Sequence, residues 1–441
     1  MRYFILSLLL SFISLPSIAQ QLADVPDVYA NIRIERGQYY FIDEDGERHA
    51  LKANTETLNP AMFRNITSTG DGLKFDFTND NLDEQLSGTL YYGFNNPDAR
   101  YPQPVFFKRP LKIKDGMAKV KIGDVLVGKY DMVNWEETGV GELGYRVVNE
   151  QNEMLYDGKV TFGYDTLEQF FYLPNGIVEG PFLAQVAHDS VVIRYETLKP
   201  SRDAIIARVA SDTTLLIKSQ DEKATRIHEL PLTGLSPDTE HLYEIHIANP
   251  LNPDAPRRQH HRTYTFRTAP KPNSRKAFKF GFCSDSRAGQ GGGERDLFGT
   301  NAYIMKRNAA LATAEGCKFV QFTGDMISGY QHTVGTQELQ YTNWKRAIEP
   351  FCHGMPFIAG MGNHEALVNE VQQHGHPDHI SVDKWPFATH SAEALFAKHF
   401  CNPTNGPESE DGSALDPNPR QVDFPSYSEN CFYYTYGNVA M

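Results

Sequence analysis

The stretch Met355-Pro-Phe-Ile-Ala-Gly-Met361, followed at once by Gly362-Asn363-His364-Glu365, decides how this chain reads. An apolar run of strand length stops, and a quartet of turn-forming, ligating and proton-handling residues takes over. Two earlier junctions have the same build. Phe278-Lys-Phe-Gly-Phe-Cys-Ser-Asp285 and Lys318-Phe-Val-Gln-Phe-Thr-Gly-Asp325 are alternating runs that each end in a carboxylate. The spacing predicts a helix from Asn301 to Glu315, with Ile304, Leu311 and Ala312 on the covered face. A second is predicted from about Gln337 to Ile348, presenting Tyr341, Trp344 and Ile348. Strand, helix, strand, helix, strand predicts a parallel sheet, and an open α/β sheet builds its site outside the carboxyl ends of its strands.

Asp285, Asp325, Asn363 and His364, in this order with helix-length gaps, resemble the motifs of the calcineurin-like metallophosphoesterase superfamily. The resemblance implies a dinuclear centre in which Asp285 binds one metal, Asp325 bridges, and Asn363 binds the second as a neutral oxygen donor. It places His364 beside the leaving group as acid or electrostatic stabiliser, with Glu365 orienting the shell around it. Oxygen ligands with imidazole suit Fe, Mn or Zn. Phosphate esters resist attack because their oxygens repel an incoming anion, and a metal pair removes that obstacle.

The motifs also depart from the family. Arg287 stands where many members have a histidine at the first metal, so either water or substrate fills that ligand position or Arg287 takes a catalytic role by binding phosphate through its planar fork. Purple acid phosphatases use a tyrosine at the position held by Ser328, and Tyr330 lies two residues further on, too far along the chain to be an equivalent ligand. The Gly-His-x-His that closes the family pattern is missing. His374-Gly-His376-Pro-Asp-His379 comes nearest, at the wrong spacing, and Cys431 to Val439 resembles the strand that precedes the missing motif. The expectation is a C-terminally truncated member, inactive or weakly active as it stands.

Working outward, Leu173 to Arg267 carries Gly180-Pro-Phe-Leu, Ser190-Val-Val-Ile-Arg-Tyr-Glu-Thr197 and Tyr264-Thr-Phe-Arg-Thr-Ala-Pro270. These resemble the fibronectin-type-III-like domain of purple acid phosphatases, with His241 at a position usually aromatic. Asp27 to Asp165 shows short alternating runs and turn signals, including a hairpin over Gln38 to Leu51, and predicts a β-sandwich of unassigned role. The fold class is therefore multidomain: two N-terminal β-sandwich modules followed by an incomplete α/β metallophosphoesterase domain. The divisions fall at 1–19 (a signal peptide), 27–165, 173–268 and 277–441. Arg257-Arg258-Gln-His260-His261-Arg262 reads as a solvated loop.

Met1-Arg2 and the apolar run after it, ending in Ser17-Ile18-Ala19, read as a secretory signal, so the mature chain is expected to be secreted or periplasmic without a membrane span. A net charge of −13 argues against a phosphate-backbone binder. All 5 cysteines lie between Cys283 and Cys431. Cys283 reads as a buried free thiol, and Cys401 and Cys431 are the better candidates for a bridge.

The function expected is hydrolysis of phosphate esters, as in an acid phosphatase acting on monoesters. A phosphodiesterase or nucleotidase on the same scaffold is the nearest alternative. A binding protein that keeps the fold without turnover is the rival from another class.

Overall fold

The computed structural model describes residues 27–441 apart from 37, 51–54, 56, 97–98, 100–102, 254 and 372–379. The expected signal at 1–19 and the cluster His374, His376 and His379 lie outside the described residues.

Alternation builds the first sandwich. Leu73 and Phe75 point to one side of their strand, and Leu143, Tyr145 and Val147 do the same opposite them. A three-stranded sheet (Ile66–Thr69, Gly72–Asp76, Met117–Val120) therefore closes on a five-stranded one. The larger sheet runs Phe170–Tyr172, Met154–Asp165, Val140–Asn149, Gly88–Phe94, Leu111–Ile113, antiparallel throughout. Phe63, Phe75, Phe77, Leu90, Tyr145 and Phe162 fill the space between. The outward residues of the long strands, Glu142, Arg146, Asp157 and Lys159, are charged, yet all four are buried. They face the α/β unit, and Lys159 Nζ reaches Glu349 there at 2.5 Å.

The second sandwich packs Ile177–Ala184, Ser190–Ser201 and Thr225–Thr233 on Asp212–Gln220, Ala204–Val209, Glu240–Ile247 and Arg258–Arg267. His241 takes the place of the missing aromatic: it is buried and stacks on Phe266 at 5.2 Å. Arg258 to Arg262 is part of the last strand rather than a loop. Arg257 donates to the Arg202 carbonyl and Arg258 to that of Asn175.

Residues 27–50 do not join the first sandwich. Ile32–Glu35, Gln38–Ile42 and Arg48–Ala50 form a separate antiparallel meander. Its apolar face, Ile32 and Phe41, closes on Trp385 far along the chain, and Tyr29 donates to Asp383 at 3.0 Å. Trp385 and Phe387 are the apolar surface that this short ribbon needs, since a lone ribbon is marginal in water.

In the α/β unit, β1 (Gly281–Cys283), β2 (Val320–Phe322) and β3 (Phe357–Ala359) pair in parallel with β2 central. Two helices connect them: α1 (Ala302–Ala314), capped by the Asn301 side chain, and α2 (Val334–Cys352), capped by Thr333. The covered face of α1 is Ala302, Met305, Ala309 and Ala312, whereas Ile304 is partly and Leu311 largely exposed. Small residues let α1 lie close to α2, which rotates the larger aliphatics outward. α2 begins three residues before the predicted start and runs four past the predicted end, buried on every side. A third helix, α3 (Ala392–His399), covers its far flank. β1 is an edge strand whose Phe282 is 69% exposed, so Cys283 sits in a half-covered strand rather than a buried one. All 5 cysteines are free, and the expected Cys401–Cys431 bridge is not formed.

Candidate active site

The three strands stop at one end of the sheet, and the chain folds back tightly at each stop. Asp285 (φ 55°) and Asp325 (φ 56°) both adopt the left-handed conformation, which costs a non-glycine residue on the order of 1 kcal/mol. That cost is offset by an interlock of backbone bonds. Asp285 N donates to the Gly324 carbonyl at 3.1 Å and Ser286 N to the Asp325 carbonyl at 2.9 Å. The two carboxylates thus stand on adjacent, mutually bonded turns. Strain held by surrounding bonds is found at functional sites more often than elsewhere.

The third turn is locked to the second by Glu365. Its fully buried carboxylate accepts from Gly362 N at 2.6 Å, Asp325 N at 2.9 Å and Met326 N at 2.8 Å. Burial pushes its pKa upward, and the three amides only partly offset this. Gln337 of α2 donates to the Glu365 carbonyl at 2.5 Å. A Cβ at Gly362 would run into Asp325 Oδ1, and one at Gly329 would overlap the His364 carbonyl. These glycines mark where backbone passes against backbone so that the three turns meet.

The structure brings all five expected site residues to this end. His364 N donates to Asp325 Oδ1 at 3.1 Å. The His364 ring faces the Ser328 carbonyl through Nδ1 at 2.8 Å, so Nδ1 carries the proton. Its Nε2 accepts from the Arg287 guanidinium. Asn363 Nδ2 donates to Tyr330 OH at 2.9 Å, and the Tyr330 ring meets the His364 ring edge-on at 5.0 Å.

Tyr330 is therefore a member of the site that the spacing argument set aside. It sits on the Asn363 side, where its hydroxyl accepts from the Asn363 amide. Its signal in the sequence was Ser328-Gly-Tyr330, separated from Asp325 by Met326 and Ile327, with Gly329 (φ 59°) allowing the chain to turn back on itself.

Behind this layer, Ser286 Oγ donates to the Met326 carbonyl and accepts from Trp344 Nε1 at 2.8 Å. After Asp285 the chain also runs through a glycine-rich turn, Gly289 to Gly293, whose far end is tied elsewhere by the next residue, Glu294. That carboxylate pairs with Arg146 of the first sandwich at 2.6 Å and with Lys306 at 2.8 Å.

No family model and no curated protein sequence matches the chain. Among solved structures it is similar to the structure of PhoD, at 14% identity and a TM-score of 0.39, over 59% of this chain and 50% of that one. It is likewise similar to purple acid phosphatase PPD1 from yellow lupin (Lupinus luteus) seeds. That match has 15% identity and a TM-score of 0.38, over 68% of this chain and 48% of that one. The chain spans about half the length of each. Overlaps with TM-scores this low carry no weight for function. Among the described residues no helix is long and apolar enough to cross a membrane.

Proposed function

We propose that this chain belongs to a metal-dependent phosphoric ester hydrolase acting at the carboxyl end of β1, β2 and β3. The observation that carries the reading is the convergence of Asp285, Asp325, Asn363, His364 and Arg287 on three interlocked turns. The donors suit a hard or borderline cation: two carboxylates and an amide oxygen, with Asp325 pressed so closely on Gly362 that no side chain fits there. Asp285 and Asp325 would hold one metal ion, Asp325 and Asn363 a second. Bound there, the ions supply positive charge that screens the phosphoryl oxygens from the incoming nucleophile.

The chain's own groups do the rest. Arg287 projects from the turn after β1, exposed, and its planar fork matches two phosphate oxygens. When it swings to the phosphate it leaves His364 Nε2 free to face the leaving-group oxygen. The Ser328 carbonyl keeps the imidazole oriented through Nδ1–H, so a proton taken up on Nε2 is aimed at that oxygen. The substrate is a phosphate monoester in this reading, and the remaining loops choose which one.

The test is hydrolysis of p-nitrophenyl phosphate by the full chain with Mn²⁺ or Zn²⁺ and after chelation, compared with Asp325→Asn. Metal-dependent turnover that Asp325→Asn abolishes without unfolding supports the proposal. Turnover at the parent rate in that variant removes Asp325 from the centre. Phosphate binding without turnover is the second reading, favoured by the contact of Arg287 with the very nitrogen that would handle the proton. Bound metal and bound phosphate with no hydrolysis would establish it.

A further inference from the structure

We propose that the loop Asp411 to Asp423 holds a divalent cation of the calcium type. Its ligands are the carboxylates of Asp411, Asp416 and Asp423 and the side-chain oxygen of Asn418. The chain from Phe400 to Tyr434 contains no helix or strand, and loops of that length inside a compact structure need something to hold them. Here the usual means is inverted. Leu415 is 86% exposed and Val422 81%, while Asp416 is buried and Asp423 is 1% exposed. The loop has turned its carboxylates inward and its aliphatics out.

One carboxylate oxygen from each of Asp411, Asp416 and Asp423 lies within 4.8 Å of the others. Bonds of ~2.3–2.6 Å to one Ca²⁺ place any two ligand oxygens at most about 5 Å apart, so the spacing fits a common ion. Among the described residues no lysine, arginine or histidine forms an ion pair with any of the three. Three like charges in so small a volume repel unless something positive stands among them.

A further observation points the same way. The Oδ1 of the buried Asp423 has no hydrogen-bond partner, and neither has Asn418 Oδ1, whose amide nitrogen donates to the other Asp423 oxygen. Two acceptors are thus buried without a donor side by side in one cluster, and each such group needs an explanation.

The other oxygens are held by backbone. Asp411 Oδ1 accepts from Asp423 N and Phe424 N at 3.0 and 3.1 Å, and Asp416 accepts from Gly412 N and Asn418 N at 2.5 and 2.8 Å. Such bonds orient ligands from behind. Pro417 and Pro419 on either side of Asn418 restrict the loop further. An all-oxygen donor set on an irregular loop suits calcium better than zinc, and better than magnesium, which demands near-octahedral geometry.

The ion would brace the active-site unit from outside it. Asn402, at the start of the same loop, donates to the carbonyl of Ala359 where β3 ends, and to Glu429 near the loop's close, both at 3.0 Å.

The full chain, stripped with chelator, is titrated with Ca²⁺ by calorimetry, and trypsin cleavage after Arg420 is timed with and without the ion. One saturable Ca²⁺ is expected, with a dissociation constant on the order of 10⁻⁴ M, retained in Asp325→Asn and slowing cleavage at Arg420. Asp423→Asn and Asp416→Asn should each weaken it at least about tenfold. Asn418→Ala, which leaves every buried carboxylate in place, should weaken it too and keeps the test decisive if the aspartate variants do not fold. No saturable binding, binding untouched by all three substitutions, or binding lost only in Asp325→Asn would each overturn the proposal.

Discussion

Replacing Glu365 tests whether the three turns are one assembly. Its Oε2 accepts from both Asp325 N and Gly362 N, and its Oε1 from Met326 N. In Glu365→Gln, the carbonyl oxygen placed at Oε2 keeps two of these bonds, but the amide group then confronts Met326 N–H donor to donor. A hydrogen bond to a charged group is worth about 1.5–3 kcal/mol, and a stranded buried donor costs about 1–3 kcal/mol. Burial already disfavours the charge on Glu365, so removing it returns part of that, leaving a net loss of about 2–3 kcal/mol. Glu365→Ala strands all three amides and should cost more, about 3–5 kcal/mol.

The chain has several cores, so global unfolding would blur this effect, and amide hydrogen exchange resolves it. A local loss of about 2 kcal/mol makes exchange about 30-fold faster. The acceleration should fall on Asp325, Met326 and Gly362, while the amides of the two sandwiches keep their protection. Phosphatase activity should drop in parallel, because Asp325 loses its fixed position. If those three amides exchange at the parent rate in both variants, Glu365 does not pin the turns, and the account of how the site is held fails.

Arg287→Ala should lower kcat/KM about 10- to 100-fold through KM, with metal content unchanged by elemental analysis; a normal KM with one metal lost would make Arg287 a structural support instead. Gly329→Ala forces a Cβ into the His364 carbonyl at a left-handed position (φ 59°), so activity should fall more than tenfold; parent activity would show that this close approach is not needed. His399 is held down to about 4 by burial and by the Lys345 charge, against an ordinary 6.5. Its neutral form is the one the fold favours, so the stability linked to it is present above pH 6.5 and is lost as pH falls toward 4. Unfolding midpoints measured from pH 7.5 to 4 should therefore decline over that window, and His399→Gln should flatten the decline; an unchanged slope in the variant would refute the assignment.

Much of the active-site unit was legible because it depends on local signals. Alternating runs that stop at Asp285 and Asp325 are visible in the residues themselves, and so is the Gly-Asn-His-Glu after the third strand. What escaped was whatever depends on a neighbour distant in sequence. Ile304 and Leu311 have the right period for a covered face, but periodicity does not say which phase a partner will cover, and α2 met the alanines. Glu142, Arg146, Asp157 and Lys159 alternate with apolar residues as solvent-facing positions do, and nothing local announces that another unit closes over them. The meander at residues 32–50 reads as a piece of the first sandwich until Trp385 is seen against Phe41. Tyr330 was discounted by spacing along the chain, whereas a left-handed turn at Gly329 and Tyr330 decides where its hydroxyl goes.

The buried charges on the outer faces of the sandwiches follow from the burial of α2. A helix that faces solvent can carry charge on its outer side, but Lys345 and Glu349 of α2 are both buried and must each find a partner. Those partners come from the sandwiches. Lys345 meets Glu179 of the second, and Glu349 meets Lys159 of the first. Glu179 also faces Arg64 at 3.3 Å and Arg194 at 3.7 Å. Burial pushes the Glu179 carboxyl up, but Lys345, Arg64 and Arg194 outweigh it and hold it low, while burial pulls Lys345 down. The two directions agree: one carboxylate shared by three cations stays ionised, and the cation least able to keep its charge is the buried lysine. Such a network adds little net stability compared with an apolar core, yet losing one member is costly because it strands the others. The same helix reaches the active site through Gln337 to Glu365, Gln340 to Gly329 and Trp344 to Ser286. The charges that dock the sandwiches and the bonds that position the three turns of the candidate site therefore lie on one helix, so displacing either sandwich moves the supports beneath Asp285, Asp325 and His364.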